Sequence, residues 1–122
     1  MSKKSTSNLL LQQLANGNFE TCKELFSKDA VVIGPGGELS AENFLKNFYI
    51  DNIKINVTLF NTFFSLNPNV CAVYLQLEEH KANGIIVKFN CVAILENNND
   101  KIEKLTIIFD TYPIRTKFPK LF

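Results

Sequence analysis

The chain has 122 residues, 46% of them hydrophobic, with 13 basic and 12 acidic side chains and a formal net charge of +1. That length makes one domain, able to bury roughly two thirds of the surface its unfolded form exposes, with no room for a second. Near-neutral charge offers no field to recruit nucleic acid or an anionic membrane, and no run is apolar enough for a bilayer span or a signal-peptide core, so we expect a cytoplasmic protein.

Ser7 is placed to cap a first helix whose Leu10, Leu11 and Leu14 share a stripe, and Asn16-Gly17-Asn18 ends it with residues that tolerate left-handed backbone. In a second helix Phe19, Cys22, Leu25 and Phe26 recur at spacings of three and four, with Glu20, Lys23 and Glu24 on the wet side, until Ser27-Lys28-Asp29 breaks it. The β-branched residues 30–33 form a brief strand closed by Gly34-Pro35-Gly36-Gly37. This is a turn and not a phosphate cradle, because Glu38-Leu39 separates the glycines from the next helix. Ser40 caps that third helix, residues 41–50, where Phe44, Leu45, Phe48 and Tyr49 make adjacent i, i+4 pairs.

Beyond it everything reads as strand: 53–66, 70–81, 85–96 and 101–115, joined by Asn67-Pro68-Asn69, Ala82-Asn83-Gly84 and residues 97–100. The last run is the expected central strand. Leu105, Ile107 and Phe109 lie on one of its faces and Thr106, Ile108 and Asp110 on the other, because side chains alternate along an extended chain. Three helices followed by a bent meander predict an α+β domain over 1–122, a curved antiparallel sheet with the helices on its concave face.

Cys22, Cys71 and Cys91 are odd in number, widely spaced and set among apolar neighbours, which reads as buried thiols in a reducing compartment and neither a disulfide frame nor a zinc site. His80 is the lone histidine, so no metal site is expected around it. It reads as a solvated strand end. Asp110 reads as a partner of Arg115 or an acceptor of hydrogen bonds at the strand end. Nothing in the sequence calls for a cofactor.

Four stretches resemble the SnoaL-like and ketosteroid-isomerase-like branch of the nuclear-transport-factor-2-like superfamily: Asn16-Gly-Asn-Phe-Glu20, Leu25-Phe-Ser-Lys-Asp-Ala-Val-Val32, Gly37-Glu-Leu-Ser-Ala-Glu-Asn-Phe44 and residues 100–111. The resemblance implies a cone-shaped, cystatin-like fold whose open end holds a small apolar molecule. It also implies where catalytic groups would stand, and those places look empty. The ketosteroid isomerases' general-base Asp falls at Gly34, their oxyanion-holding acid at Cys91 and their oxyanion-holding Tyr at Leu10. The catalytic Asp of the epoxide-hydrolase-like members falls at Ile107, and their Arg-x-Asp pair near Gln76 and Glu78, in a register uncertain by a residue or two.

The expected pocket is lined by Phe44, Phe48, Phe63, Leu75, Cys91, Ile107 and Phe109. Catalytic candidates are few. Asn61 interrupts the apolar series Ile53, Ile55, Val57, Leu59, Phe63, and a buried amide must bond either backbone or a guest. Glu78 and Glu79 point to opposite faces, and Glu79 looks inward if Val73, Leu75 and Leu77 do, although solvent is the ordinary place for a carboxylate. Tyr49 completes the set. Phe60, Phe64, Leu66, Val92, Ile94, Thr106 and Ile108 leave an apolar outer sheet face, and a homodimer through that face is expected. Three functional readings follow: a module binding a small apolar ligand, an isomerase, hydrolase or cyclase with a displaced catalytic set, and a protein-interaction domain with a filled core.

Overall fold

The computed structural model describes residues 10–14 and 19–110. The expected cap at Ser7, the break at Asn16-Gly17-Asn18, the strand residues 111–115 and the Asp110 partner Arg115 lie outside them. Helix α1 is described over 10–14, followed by α2 (Phe19–Leu25), β1 (Phe26–Gly34), β2 (Gly37–Ser40), α3 (Ala41–Asp51), β3 (Asn52–Phe64), β4 (Val70–Lys81), β5 (Ile86–Asn98) and β6 (Lys101–Phe109). The strands form one open sheet in the order β2-β1-β6-β5-β4-β3, giving the expected α+β architecture with β6 in its interior.

Three features differ from expectation. The sheet is mixed, because β1 runs parallel to β6 while every other pair is antiparallel. A hairpin dictates opposite directions to the strands it joins, whereas β1 and β6 meet only after most of the chain has intervened. Secondly, α2 stops at Leu25 and does not include Phe26. Phe26 pairs with Ile102 in the sheet and is buried there, so tertiary burial takes it from the helical stripe. Thirdly, Glu38-Leu39 belongs to a short strand. Gly34 pairs with Gly37 across Pro35-Gly36, and Gly37 sits at φ +125, a conformation that a side chain strains.

Ser40 caps α3 by accepting from the Asn43 amide at 3.2 Å. Asn52 closes the other end, its Nδ2 donating to the Phe48 carbonyl at 2.8 Å. The core forms where the helices meet one face of the sheet: Leu10, Cys22 and Leu45 from the helices against Val73, Leu75, Leu95, Ile102 and Leu105 from the strands. Burial alternates strictly along β4, with Cys71, Val73, Leu75, Leu77 and Glu79 inside, as period-two geometry requires.

Strand β3 breaks that alternation. Leu59 pairs with Leu75 and Asn61 with Tyr74, so Phe60 is an extra residue opposite none. A bulge of this kind moves each later side chain to the other face.

Candidate functional site

The inner face of β4, β5 and β6, roofed by α1 and α3, encloses a cavity of about 240 Å³. Phe44 and Phe48 of α3 stack with ring centroids 5.6 Å apart, and Phe89 lies against Phe109 at 4.8 Å. With Leu11, Leu14, Leu75, Leu77, Cys91, Ala93, Leu105 and Ile107 they make a wall that is almost wholly apolar. Six of the expected lining residues meet there: Phe44, Phe48, Leu75, Cys91, Ile107 and Phe109.

Phe63 does not. The bulge at Phe60 sets it opposite Ala72 on the outer face, where it is 57% exposed. Asn61 is displaced for the same reason, paired with Tyr74 and exposed to solvent on the side away from the cavity. Tyr49 is held among the helices, its hydroxyl 3.4 Å from the Gln13 and Leu14 carbonyls and from Cys22 Sγ. Burial there pushes its ionisation well above the ordinary tyrosine range.

Two charged side chains stand inside. Glu79 and Lys81, two residues apart and therefore on one face of β4, both line the cavity, and Lys81 Nζ donates to Glu79 Oε1 at 2.7 Å. Glu79 is only 8% exposed. The ordinary, solvated place for Glu79 is overturned, because the alternation of Val73, Leu75 and Leu77 runs on unbroken to Glu79. A charge so placed needs a counter-charge, and Lys81 is spaced to supply it. The bond to Lys81 is made through Oε1 of the carboxylate. Burial, and secondarily the Glu79 charge, push the Cys91 thiol up to about 11.

The outer face carries a separate polar group. Glu78 Oε2 accepts from Asn56 Nδ2 at 2.6 Å and contacts His80 Nε2 at 2.8 Å. The His80 and Asn56 contacts hold the Glu78 carboxyl below its usual range. His80 is thus half-buried and paired, not simply solvated. Of the places implied by family resemblance, Leu10 is fully buried, Ile107 and Cys91 are wall residues, and Gln76 and Glu78 point outward. The carboxylate inside is the neighbour of the last, Glu79. Its sequence signal was the alternating series that leads to it. Lys81 was missed, and its signal was the spacing of two from Glu79.

A second hollow of about 350 Å³ lies beneath the β1–β2 hairpin, against Val32, Gly34, Pro35, Gly36, Gly37 and Leu39, and shares Phe44, Ile107 and Phe109 with the first. Among the described residues no three His, Cys, Asp or Glu side chains are grouped to hold a metal ion.

No protein-family model and no curated protein matches the sequence. Solved structures do. A Δ5-3-ketosteroid isomerase from Mycobacterium sp. superposes with a TM-score of 0.78 at 25% identity, over 91% of this chain and 95% of that one. An NTF2-like protein of unknown function from Cytophaga hutchinsonii gives 0.79 at 16% identity, over 93% and 95%. The epoxide hydrolase/cyclase-like enzyme SalBIII, of pyran ring formation in the polyether salinomycin, gives 0.77 at 16% identity, over 88% and 90%.

Proposed function

This chain is by its fold a member of the nuclear-transport-factor-2-like superfamily, and on that premise we propose that its cavity binds one small, largely apolar molecule whose hydrogen-bond-donating group meets Glu79. The observation that carries this reading is the Glu79 carboxylate, paired with Lys81, in the wall of an otherwise greasy cavity. Ligand sites are mainly hydrophobic with a few placed polar groups that fix orientation. The cavity is smaller than the roughly 300–1,000 Å³ usual for drug-sized guests, so the guest is small. Saturable binding of a hydrophobic fluorophore, displaced by apolar alcohols, is the test. Ala93→Phe, which fills the cavity, should abolish binding while the protein stays folded, and equal binding by that variant would refute the proposal.

A proton-transferring enzyme is the second reading, favoured by the same carboxylate beside apolar walls, where a base can reach an acidic C–H. The ketosteroid isomerase neighbour lends it weight. Loss of the α-protons of 2-decanone to deuterium, measured by NMR, tests it. Exchange no faster with wild type than with Glu79→Gln counts against it.

Homodimerisation through the outer sheet face is also proposed. Phe60, Phe63 and Ile108 are 44%, 57% and 54% exposed, and patches of that kind mark interfaces. We assign the protein to the cytoplasm, a reading supported by three buried cysteines, none of them in a disulfide. Among the described residues no helix is long and apolar enough to cross a membrane.

A further inference from the structure

Phe44 on α3 and Ile107 and Phe109 on β6 face both the apolar cavity and the hollow beneath the β1–β2 hairpin. These three residues are thus the wall that the two spaces have in common. On the far side the hairpin itself leaves open space, since a Cβ added at Gly34 or Gly36 would meet no atom within 4 Å.

The partition also has a fixed place relative to the polar pair. Phe109 pairs with Cys91, and Cys91 with Leu75. Glu79 stands four residues further along β4 from Leu75, about 13 Å at the strand's rise per residue. A guest whose donor meets Glu79 thus lays its tail along β4 toward Phe109 and Ile107.

The head group follows from charge. Glu79 and Lys81 together are neutral, so a carboxylate head would face Glu79 and an ammonium head would face Lys81, each at a desolvation cost. A hydroxyl donates to the Glu79 carboxylate without bringing a charge into the cavity.

Resting on the binding reading above, we infer that Phe44, Ile107 and Phe109 form a length stop, so that the site selects unbranched neutral alcohols up to a chain length set by this wall. Trimming the wall joins the cavity to the hollow and admits longer tails.

The test measures dissociation constants for n-alkanols from hexanol to tetradecanol by fluorophore displacement. In wild type, affinity rises about fourfold for each added methylene until the tail meets the wall, then stops rising. Ile107→Ala and Phe44→Ala, on two different elements, move that break to longer alcohols. Ile107→Val moves it less, and keeps the experiment decisive should an alanine variant fail to fold. A break at the same alkanol in wild type and in every folded variant, or no break at all, overturns the length stop. Wild type binding no alkanol overturns the binding reading itself, which is a different result.

Discussion

Lys81 Nζ lies 2.7 Å from Glu79 Oε1, two residues away on the same face of β4, with apolar side chains on every other part of the cavity wall. Neither charge would be tolerable there without the other. Removing one partner of a buried pair leaves an uncompensated charge, whereas replacing both with apolar groups is often neutral.

Lys81→Met should therefore lower stability by about 2–3 kcal/mol, less than for a fully enclosed pair because both side chains keep some contact with water. The double variant Glu79→Leu with Lys81→Met should recover most of that loss. Urea unfolding of the three proteins checks both statements. A double variant as unstable as the single one would mean that the pair is not the source of the effect.

Alkaline pH should weaken the fold. The Cys91 thiol moves from its ordinary 9.0 up to about 11, and burial raises Cys22 in the same direction. Below the ordinary value both folded and unfolded chains hold the proton. Between the two values only the folded chain does, so the unfolded state binds fewer protons and stability falls as pH rises, by roughly 3 kcal/mol for Cys91 across that window. Cys91→Ala should make the fall shallower in a series of urea midpoints.

The same shift keeps the thiol unreactive. At a pH near 8, alkylation of Cys91 in the folded protein should run roughly a hundredfold slower than that of an unfolded thiol. Glu79→Gln, which removes the secondary electrostatic cause, should speed it. Peptide mapping after timed iodoacetamide treatment reads the rate at Cys91 alone.

The two turn glycines should behave differently. Gly37 sits at φ +125, so Gly37→Ala should cost about 1–2 kcal/mol, while Gly36→Ala, with open space and ordinary backbone, should be close to neutral. Thermal melts separate the two.

Charge on the outer face should act on assembly and not on folding. Phe63→Lys with Ile108→Lys should shift sedimentation toward monomer and leave the melting temperature of dilute protein nearly unchanged, because both side chains are more than half exposed in the single chain. Unchanged sedimentation would remove the proposed interface.

The legible part of this structure is the part governed by local periodicity. The β4 bounds, the Ser40 cap and the inward set Leu105, Ile107 and Phe109 all follow from alternation or capping chemistry that neighbouring residues carry themselves. What was hidden depends on partners distant in sequence. Phe26 fits a helical stripe perfectly well until Ile102 is present to pair with it. The bulge at Phe60 has no marker in β3, since Phe is at home in any regular strand, and it exists only as a mismatch with β4. That one residue sent Asn61 and Phe63 to the wrong face. Glu79 was half legible: its face could be read from Val73, Leu75 and Leu77, but its tolerance of burial needed Lys81 as counter-ion.

The parallel contact between β1 and β6 bears on how the molecule is made. β1 finds β2 at once through their hairpin, but its other edge, from Phe26 to Ile33, must wait for Ile102 to Thr106. A ribosome delivers those partners only after all the intervening strands, so the early segment emerges with an unfilled edge and helices that have nothing to cover. Pairings this distant in sequence slow folding and prolong the exposure of greasy surface. Newly synthesised chains should be most prone to capture by chaperones until residues 101–109 clear the exit tunnel.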